Sequence, residues 1–412
     1  MKRSKVNGKH NFLIFIKWLA IGLLTGAICG AIGAVFHHAI DHAAHFRAEH
    51  GWVYWLMPVV CVLVVGVYRL FRVDTATGMN DVIDAVKHGH RLPWGLGPSI
   101  FAGTVLSQFA GASTGREGAA LQLGASVAGG LNKVFKLDES RKIPLLMCGM
   151  SAVFAAMFGT PVAAALFIVE FVTVGEMRYA RLFPCVISAL TAYWVSLLMG
   201  SVPVRYALAF VPEMHLVPIL QVTVLGAVAA VMSIVFCVCV HGAHEFCHKT
   251  VKNDFIRGAA GAAVALILSL IVGVGRYNGA GMNLVDNAIA GTSLPWDFVL
   301  KLLFTAVCIG AGFKGGEIVP AFAVGASLGC TIGGLLGMDP GFAAAVCMIA
   351  LFCGVVNCPI ASIIIAVEIF GAEGLPFYAL ACIISYMLSG RYSLYGRQEF
   401  AANTRPVENY MG

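Results

Sequence analysis

The sequence has little charge. Asp, Glu, Lys and Arg make up only 12% of its 412 residues, whereas soluble proteins average about 25%. Charged residues are absent altogether from six stretches of at least eighteen residues, and spans of about this length cross a bilayer. These stretches are residues 18–36, 182–204, 216–240, 258–275, 318–338 and 341–367. The composition excludes an ordinary soluble globular protein and predicts an all-α protein with many membrane-spanning helices.

The sequence also lacks the marks of a secreted protein. Its first apolar stretch leads into a His-rich segment and not into a small-residue cleavage site, so we expect no cleaved signal peptide. The thirteen cysteines lie mostly singly within apolar stretches, where a free cysteine behaves as a small hydrophobic residue. We therefore expect no disulfide framework.

Basic residues are concentrated near both ends. The first nine residues hold four Lys or Arg and no acid, and Arg391, Arg397 and Arg405 lie near the other end. Because the basic flanks of membrane helices stay in the cytoplasm, we predict cytoplasmic termini and a bacterial inner membrane as the location. This bias accounts for the net charge of +6, which gives no reason to expect nucleic-acid binding.

The two halves of the sequence resemble each other. Residues 115–126, GREGAALQLGAS, match residues 315–327, GGEIVPAFAVGAS, with glutamates 200 positions apart. Pro161 and Pro359 correspond at an offset of 198, and the segment from Gly78 matches one 203 positions later. Anchors in the same order at nearly one offset indicate a duplicated chain.

We predict two membrane repeats, residues 12–204 and 205–395, between a cytoplasmic segment (1–11) and a short cytoplasmic tail (396–412). Transporters commonly carry such repeats in inverted orientation, with a binding site where broken helices meet. The breaks are predicted at Gly159-Thr160-Pro161 and Asn357-Cys358-Pro359. Thr160 is the expected N-cap, and each proline the expected first residue of a new helix.

One loop in each repeat, residues 113–118 and 315–320, carries glycines beside a glutamate just before a predicted helix. Uncovered amides and the partial positive charge of a helix start attract anions. If both loops point to one place, they form an anion site weak enough to release its ion. Glycines that merely allow close helix packing are the alternative, but two matched loops favour an anion site.

Glu117 is the candidate gate of that site. Its carboxylate can occupy the site when ionised and leave it when protonated, which would couple anion entry to proton uptake. Ionisable residues within a membrane are functional by default. The alternative is a structural ion pair between Glu117 and Arg116.

Other polar residues are assigned structural roles. The His241, His244, Cys247 and His248 cluster has helical spacing suited to a metal, which keeps a membrane metalloenzyme as an alternative. We favour interfacial residues instead, since the cluster lies where an apolar span ends, and we expect no metal and no cofactor. Asp41 is expected to be a solvated acid in a polar connection.

Two glutamates recur at the ends of apolar helices. Glu170 follows Pro161 by nine residues, and Glu368 follows Pro359 by nine. We expect them to be structural anchors satisfied by backbone amides or, for Glu170, by Arg178, and not proton carriers.

The motifs resemble the CLC family of anion channels and anion/proton antiporters. The resemblance rests on GREG opening a helix at 115–118, the GEIVP loop at 316–320, a glycine-led loop at Gly78 and a tyrosine near the C-terminus. It implies a homodimer in the lipid bilayer with one pore per subunit, each subunit an inverted repeat of broken, tilted helices. Tyr395 then matches the inner-gate tyrosine, with Tyr392 as the competing candidate.

Departures from the family pattern resemble its fluoride-specific branch, the CLC-F fluoride/proton antiporters. The first loop, usually Gly-Ser-Gly-Ile-Pro, has Met79 in place of the chloride-binding serine, and methionine has no hydrogen-bond donor. Phe171 occupies the position of the inner glutamate of chloride/proton antiporters. Glu317 lies where chloride-moving members usually have an apolar residue.

The resemblance implies a fluoride/proton antiporter, not an enzyme, that exports cytoplasmic fluoride in exchange for protons. Glu117 is the implied gate and Glu317 the second coupling carboxylate, while Met79 and Asn80 shape selectivity. The alternative is a chloride/proton antiporter or passive chloride channel of the same family. The remaining candidate anion-site residues are Gly115, Arg116, Gly118, Ile318 and Tyr395.

Overall fold

The structure, a computed structural model, describes residues 8–401. The predicted terminal segments 1–11 and 396–412 therefore lie only partly within the described residues. Arg405 lies outside them. The first eight α-helices are α1 Gly8–Glu49, α2 Met57–Leu70, α3 Met79–His88, α4 Leu96–Ala110, α5 Glu117–Phe135, α6 Glu139–Phe158, α7 Pro161–Phe171 and α8 Leu182–Leu198.

A second series of eight helices follows. These are α9 Leu216–Thr250, α10 Asp254–Val272, α11 Met282–Ile289, α12 Asp297–Ala311, α13 Ile318–Leu335, α14 Pro340–Val356, α15 Pro359–Phe370 and α16 Leu375–Ser389. Short 3-10 helices span Gly51–Leu56 and Tyr179–Arg181, and the two-residue strands β1 (Thr173–Val174) and β2 (Glu399–Phe400) pair in parallel.

The second series repeats the packing of the first. Helix α5 packs on α6 and α1 on α8, and their counterparts pair in the same way, α13 on α14 and α9 on α16. The main contacts between the two series join each helix to its own counterpart, α2 to α10, α5 to α13 and α7 to α15. Contacts between equivalent elements indicate a twofold relation between the halves. The predicted repeat boundary at 204/205 falls in the connection between α8 and α9.

The helix breaks lie where the sequence predicts them. Gly159 and Asn357 adopt left-handed backbone angles, with φ of +76° and +57°, and end α6 and α14. Proline is the first residue of both following helices, α7 and α15. The prediction for Thr160 is only half right. It occupies the N-cap position of α7, but its hydroxyl makes no capping hydrogen bond and is buried without a partner among residues 8–401.

The other repeat caps α7 in its place. Glu368, near the end of α15, accepts hydrogen bonds from two first-turn amides of α7, at 2.9 and 3.2 Å. Glu170, near the end of α7, binds two first-turn amides of α15 at 2.8 and 3.1 Å. Each carboxylate thus stabilises the positive end of the partner helix. The predicted contacts of both glutamates with backbone amides are confirmed. Arg178 instead pairs with Glu176.

The distribution of apolar side chains is that of a membrane protein. Helix α14 is buried along almost its whole length, whereas α1, α9 and α10 expose large apolar side chains such as Phe12, Val231 and Ile271. Within residues 8–401, seven helical segments are long and apolar enough to cross a membrane. Contiguous exposed apolar surface of this extent needs a lipid environment. The chain is therefore a multi-pass membrane protein.

Candidate functional site

The two glycine loops, one from each half, pair with each other. Gly115 and Gly316 form an antiparallel bridge in which each amide donates to the other's carbonyl, at 2.5 and 2.8 Å. Helix α5 begins two residues after Gly115, and α13 begins two residues after Gly316. Two helix N-termini, each with unpaired amides and partial positive charge, therefore start from one buried point. This is the arrangement expected if both loops serve a single anion site.

The bridge corrects the register between the repeats. The sequence comparison aligns Glu117 with Glu317, at an offset of 200. In the structure, the bridged glycines and the starts of α5 and α13 correspond at an offset of 201. Glu117 is therefore the first residue of α5, whereas Glu317 is the N-cap that precedes α13. The structural counterpart of Glu117 is Ile318.

Only glycine fits at this contact. A methyl carbon added to Gly115 would lie 2.9 Å from the carbonyl oxygen of Gly316, and one added to Gly316 would lie 2.5 Å from the amide nitrogen of Gly118. Both distances are shorter than van der Waals contact, so a side chain would push the loops apart. A methyl carbon on Gly118 would lie 3.8 Å from Glu317 Oε2 and 3.9 Å from the Tyr395 hydroxyl. Gly118 thus adjoins both polar groups.

Glu117 is completely buried. Its Oε2 accepts a hydrogen bond from the backbone amide of Arg116 at 3.1 Å, and Nε of Arg116 lies 3.5 Å from Oε1. Oε1 has no hydrogen-bond partner among the described residues. An ionised carboxylate here is held by the Arg116 amide and by the ion pair with the Arg116 guanidinium, while one side of Oε1 makes no hydrogen bond to the described residues.

Arg116 connects Glu117 to the protein surface. Its Nη1 donates to Asp41 Oδ1 at 3.0 Å, and His37 Nε2 lies 3.1 Å from the other Asp41 oxygen. The Arg116 side chain is buried while Asp41 is partly exposed. The expectation that Asp41 is merely solvated is wrong, because a buried guanidinium needs a carboxylate partner. Arg116, predicted to line the anion site, binds two carboxylates in this structure.

Asp41 and Arg116 border a cavity of about 650 Å³, the Asp41 cavity, whose other walls include Gln108, Gly281 and Met282. A second cavity of about 190 Å³, the Tyr395 cavity, shares no lining residue with the first. Arg116 borders one cavity and Gly315 the other, so the paired loops lie between them. The Tyr395 cavity contains four predicted site residues, Met79, Asn80, Glu317 and Tyr395.

Met79 and Asn80 open helix α3. Met79 is the first residue of the helix and is buried, and it offers no hydrogen-bond donor to the cavity. Asn80 is exposed, and its Oδ1 accepts from the backbone amide of Arg397 at 3.2 Å. The acceptor end of Asn80 is therefore occupied, and its Nδ2 donor is the atom left to face an anion.

Glu317 and Tyr395 are the polar groups of the cavity that adjoin the loops. Glu317 is partly exposed, and its carboxylate interacts with its own backbone amide and with the charge of Lys314. Tyr395 is buried, its hydroxyl has no partner in residues 8–401, and its ring meets Phe171 edge-on at 4.9 Å. Tyr392 is 49% exposed and does not line the cavity. The geometry thus favours Tyr395 over Tyr392.

The sequence analysis missed one polar group of this cavity, Gln122, whereas the positive charge of Lys314 beside the second loop follows from the sequence. Gln122 is buried, lines the cavity, and its Oε1 has no partner within the described chain. Lys314 also lines it, with Nζ 4.7 Å above the Tyr68 ring and bound to the carbonyl of Thr75. A polar Gln within the charge-free run ALQLGAS was the available signal for the first.

The histidines assigned to the membrane interface also line the Tyr395 cavity. His241 Nε2 lies 2.9 Å from the carbonyl oxygen of Leu394, and the rings of His244 and His248 lie 4.3 Å apart. Across residues 8–401, no group of three or more His, Cys, Asp or Glu side chains is placed to hold a metal ion. The cluster thus belongs to the wall of the cavity.

Two interlocked helix series, with paired helix N-termini between two cavities, define a multi-pass membrane protein of the inverted-repeat type common among secondary transporters. The profile of the family described as voltage gated chloride channel matches residues 65–390. The chain belongs to this family, the CLC proteins.

Comparisons with individual proteins agree. The chain is 36% identical over 389 residues to the chloride/fluoride channel protein of Pseudomonas syringae pv. tomato, covering 93% of this chain and 86% of the relative. It is 26% identical to the H(+)/Cl(-) exchange transporter ClcA of Vibrio vulnificus, over 86% of this chain and 82% of the relative.

Solved structures share the fold. A crystal structure of a CLC-type fluoride/proton antiporter superposes with a TM-score of 0.90 at 29% identity, covering 94% of this chain and 98% of that one. A slow cyanobacterial Cl−/H+ antiporter gives a TM-score of 0.80 at 19% identity, over 90% and 94% of the two chains. The predicted all-α CLC fold is confirmed.

Proposed function

We propose that the protein is a fluoride/proton antiporter that exports cytoplasmic fluoride in exchange for protons, and so a transporter and not an enzyme. Its similarity to a relative named for chloride and fluoride, and to a solved fluoride/proton antiporter, supports this assignment. Within the chain, one observation carries it. A completely buried glutamate, Glu117, begins a helix at the point where two helix N-termini meet.

That position gives Glu117 two states. Ionised, its carboxylate lies at the positive end of α5 and takes the place of a transported anion. Protonated, it loses the attraction of the helix dipole and leaves the place free. Among the described residues, Oε1 has no hydrogen-bond partner and only the ion pair with Arg116 at 3.5 Å, so few contacts oppose that exchange. The ionised carboxylate and the transported anion therefore compete for the same positive helix ends, and protonation of Glu117 lets the anion enter.

The Tyr395 cavity supports fluoride as the anion. Fluoride is a small, strong hydrogen-bond acceptor, so its site needs several donors and little room. The Tyr395 hydroxyl, which has no partner among the described residues, and the exposed side chain of Asn80 border the cavity, and α13 begins beside it at Ile318. Met79 supplies no donor where a serine would bind chloride.

Glu317 supplies a second protonatable group in the same cavity. Its carboxylate is accessible and free of ion pairs in the described chain, and it lies near Gly118 at the start of α5. A proton can therefore be accepted at Glu317 and pass towards Glu117. This arrangement would replace the inner glutamate whose position Phe171 fills.

We further propose the assembly and orientation that the family resemblance implies. The protein would be a homodimer in a bacterial inner membrane, with repeats 12–204 and 205–395 and cytoplasmic segments 1–11 and 396–412. The basic residues near both termini support this orientation.

Purified protein in liposomes tests the function. Vesicles loaded with fluoride or chloride are diluted into anion-free buffer, and release is followed by ion-selective electrodes with and without a proton ionophore. We expect fluoride release to exceed chloride release and to drive proton uptake into the lumen. Equal release of both anions would exclude the fluoride assignment. Release without proton uptake would exclude antiport and favour a passive channel.

A further inference from the structure

Two adjoining depressions outside the ion pathway differ in chemistry. The first, the Lys142 cavity, has a volume of about 390 Å³ and lies at the ends of α3 and α5 and the starts of α4 and α6. The second, the Phe101 groove, has a volume of about 310 Å³ and lies along α1, α4 and α5. They share two lining residues, Trp94 and Ser126, so they adjoin each other.

The Lys142 cavity is basic. Arg91 and Lys133 line it, are exposed, and have no ion-pair partner in residues 8–401. Lys142 is largely buried and donates to the Gly89 carbonyl and to Glu139, both at 3.1 Å. With three cations against one carboxylate, the walls carry net positive charge, which suits a phosphate group.

The Phe101 groove is apolar. Among residues 8–401, no charged side chain lines it, and its walls are formed by Ile32, Trp94, Gly97, Pro98, Phe101, Leu123, Ser126 and Val127. Trp94, which joins the groove to the basic cavity, is 73% exposed. Tryptophan prefers the level of the lipid headgroups, where one side of the ring is apolar and the other polar. The basic cavity therefore lies at headgroup level, and the groove runs beside the hydrocarbon.

We propose that the Lys142 cavity and the Phe101 groove together bind an anionic phospholipid, with its phosphate in the cavity and an acyl chain along the groove. Basic pockets between membrane helices on the cytoplasmic side bind anionic lipid headgroups. A free phosphate ion would use the cavity alone and leave the groove without a ligand, so the position of the groove beside the cavity favours a lipid. The site requires only that the protein spans a membrane, and its test can fail independently of fluoride transport.

Gly130 offers a way to block the cavity without altering its charge. It lines the cavity, and a methyl carbon added to it would meet no other atom within 4 Å. The β-carbon of a leucine there therefore has room, its side chain would extend into the headgroup space, and leucine favours the helix relative to glycine. Gly130→Leu should therefore fold normally.

Native mass spectrometry of the full-length protein tests the proposal. Detergent-solubilised protein is given an equimolar mixture of dioleoyl phosphatidylglycerol and dioleoyl phosphatidylcholine, and the first bound lipid is counted. We expect the wild type to retain phosphatidylglycerol preferentially. In the Arg91→Gln/Lys133→Gln variant, each removed charge should lower the binding constant roughly fivefold. Gly130→Leu should lose the preference as well.

Matched controls decide the interpretation. Lys249→Gln/Lys252→Gln removes two positive charges that line neither the cavity nor the groove, and it should keep the preference of the wild type. Equal retention of the two lipids by the wild type, or undiminished preference in both cavity variants, would refute the proposal. Inorganic phosphate that displaces phosphatidylglycerol at equal concentration would identify a phosphate site and overturn the lipid assignment.

Discussion

The two repeats place their loop glutamates differently. Glu117 is the first residue of helix α5, is completely buried and pairs with Arg116, whereas Glu317 precedes α13, is partly exposed and borders the Tyr395 cavity. The difference arises from one position in the sequence. Successive residues at a helix start point about 100° apart, so one carboxylate turns to the loop contact and the other to the cavity.

This difference shows how a duplicated loop acquires two roles. The glycine bridge needs both copies, because each loop supplies one carbonyl and one amide. The glutamates are not copies of each other once the register is corrected, so each could evolve its own chemistry. In the proposed mechanism, Glu117 competes with the anion and Glu317 exchanges protons with the cavity.

The largest effect is expected at the buried glutamate. Glu117→Gln replaces the carboxyl group that gains and loses a proton with an amide that cannot. The substitution should therefore reduce fluoride-driven proton uptake in liposomes by roughly a hundredfold or more. The exposed glutamate Glu176, which pairs with Arg178 at 3.0 Å, gives a control, and Glu176→Gln should transport like the wild type. Coupled proton uptake that survives Glu117→Gln would contradict the gating role.

A smaller loss is expected at the accessible glutamate. Glu317→Gln leaves Glu117 in place and removes only the proton relay in the cavity, so coupled uptake should fall about tenfold while fluoride binding persists. Proton flux by a pH electrode and fluoride binding by calorimetry measure the two parts. If Glu317→Gln equals Glu117→Gln in both measurements, the two carboxylates form one unit and the division of roles is wrong.

Much of the fold could be predicted from the sequence because its signals are local. Charge-free runs mark the spans, and glycine and proline mark the breaks before Pro161 and Pro359. The relative register of the two helix starts could not be predicted. Aligning identical residues pairs Glu117 with Glu317, whereas α5 begins at Glu117 and α13 begins one residue after Glu317. That shift makes Glu117 a fully buried first residue of its helix and Glu317 a partly exposed N-cap.

The candidate site was predicted in part for a similar reason. Met79, Asn80, Glu317 and Tyr395 are brought together by the structure as their motifs imply. The hydrogen bond between Arg116 and Asp41 joins residues 75 positions apart, and no local sequence pattern predicts it. The partners of such long-range bonds follow from packing alone.

Glu170 and Glu368, which each cap a helix of the other repeat, should both contribute to the stability of the protein. Glu170→Gln and Glu368→Gln each weaken two charge-assisted hydrogen bonds to a helix start and should destabilise the protein by about 1–3 kcal/mol. Glu170 is more deeply buried than Glu368, so its substitution should cost more. Thermal unfolding in detergent measures both variants. A role in proton transfer, and not in anchoring, would instead reduce coupling without lowering the unfolding temperature.

The smallest effect is expected in the selectivity between chloride and fluoride. Each repeat has a methionine at an equivalent helix start, so the two substitutions can be compared. Met79 and Met282 are the first residues of α3 and α11, but Met79 lines the Tyr395 cavity and Met282 the Asp41 cavity. Met79→Ser adds one hydroxyl donor, worth about 1 kcal/mol, and should raise chloride relative to fluoride release roughly fivefold.

Met282→Ser makes the same chemical change on the other side of the paired loops. It should leave the chloride-to-fluoride ratio unchanged if anion selection occurs in the Tyr395 cavity. An equal rise in both serine variants would mean that selection is shared by the two cavities. An unchanged ratio in both would mean that each methionine only packs its helix start, and that selectivity rests on the donors around Tyr395.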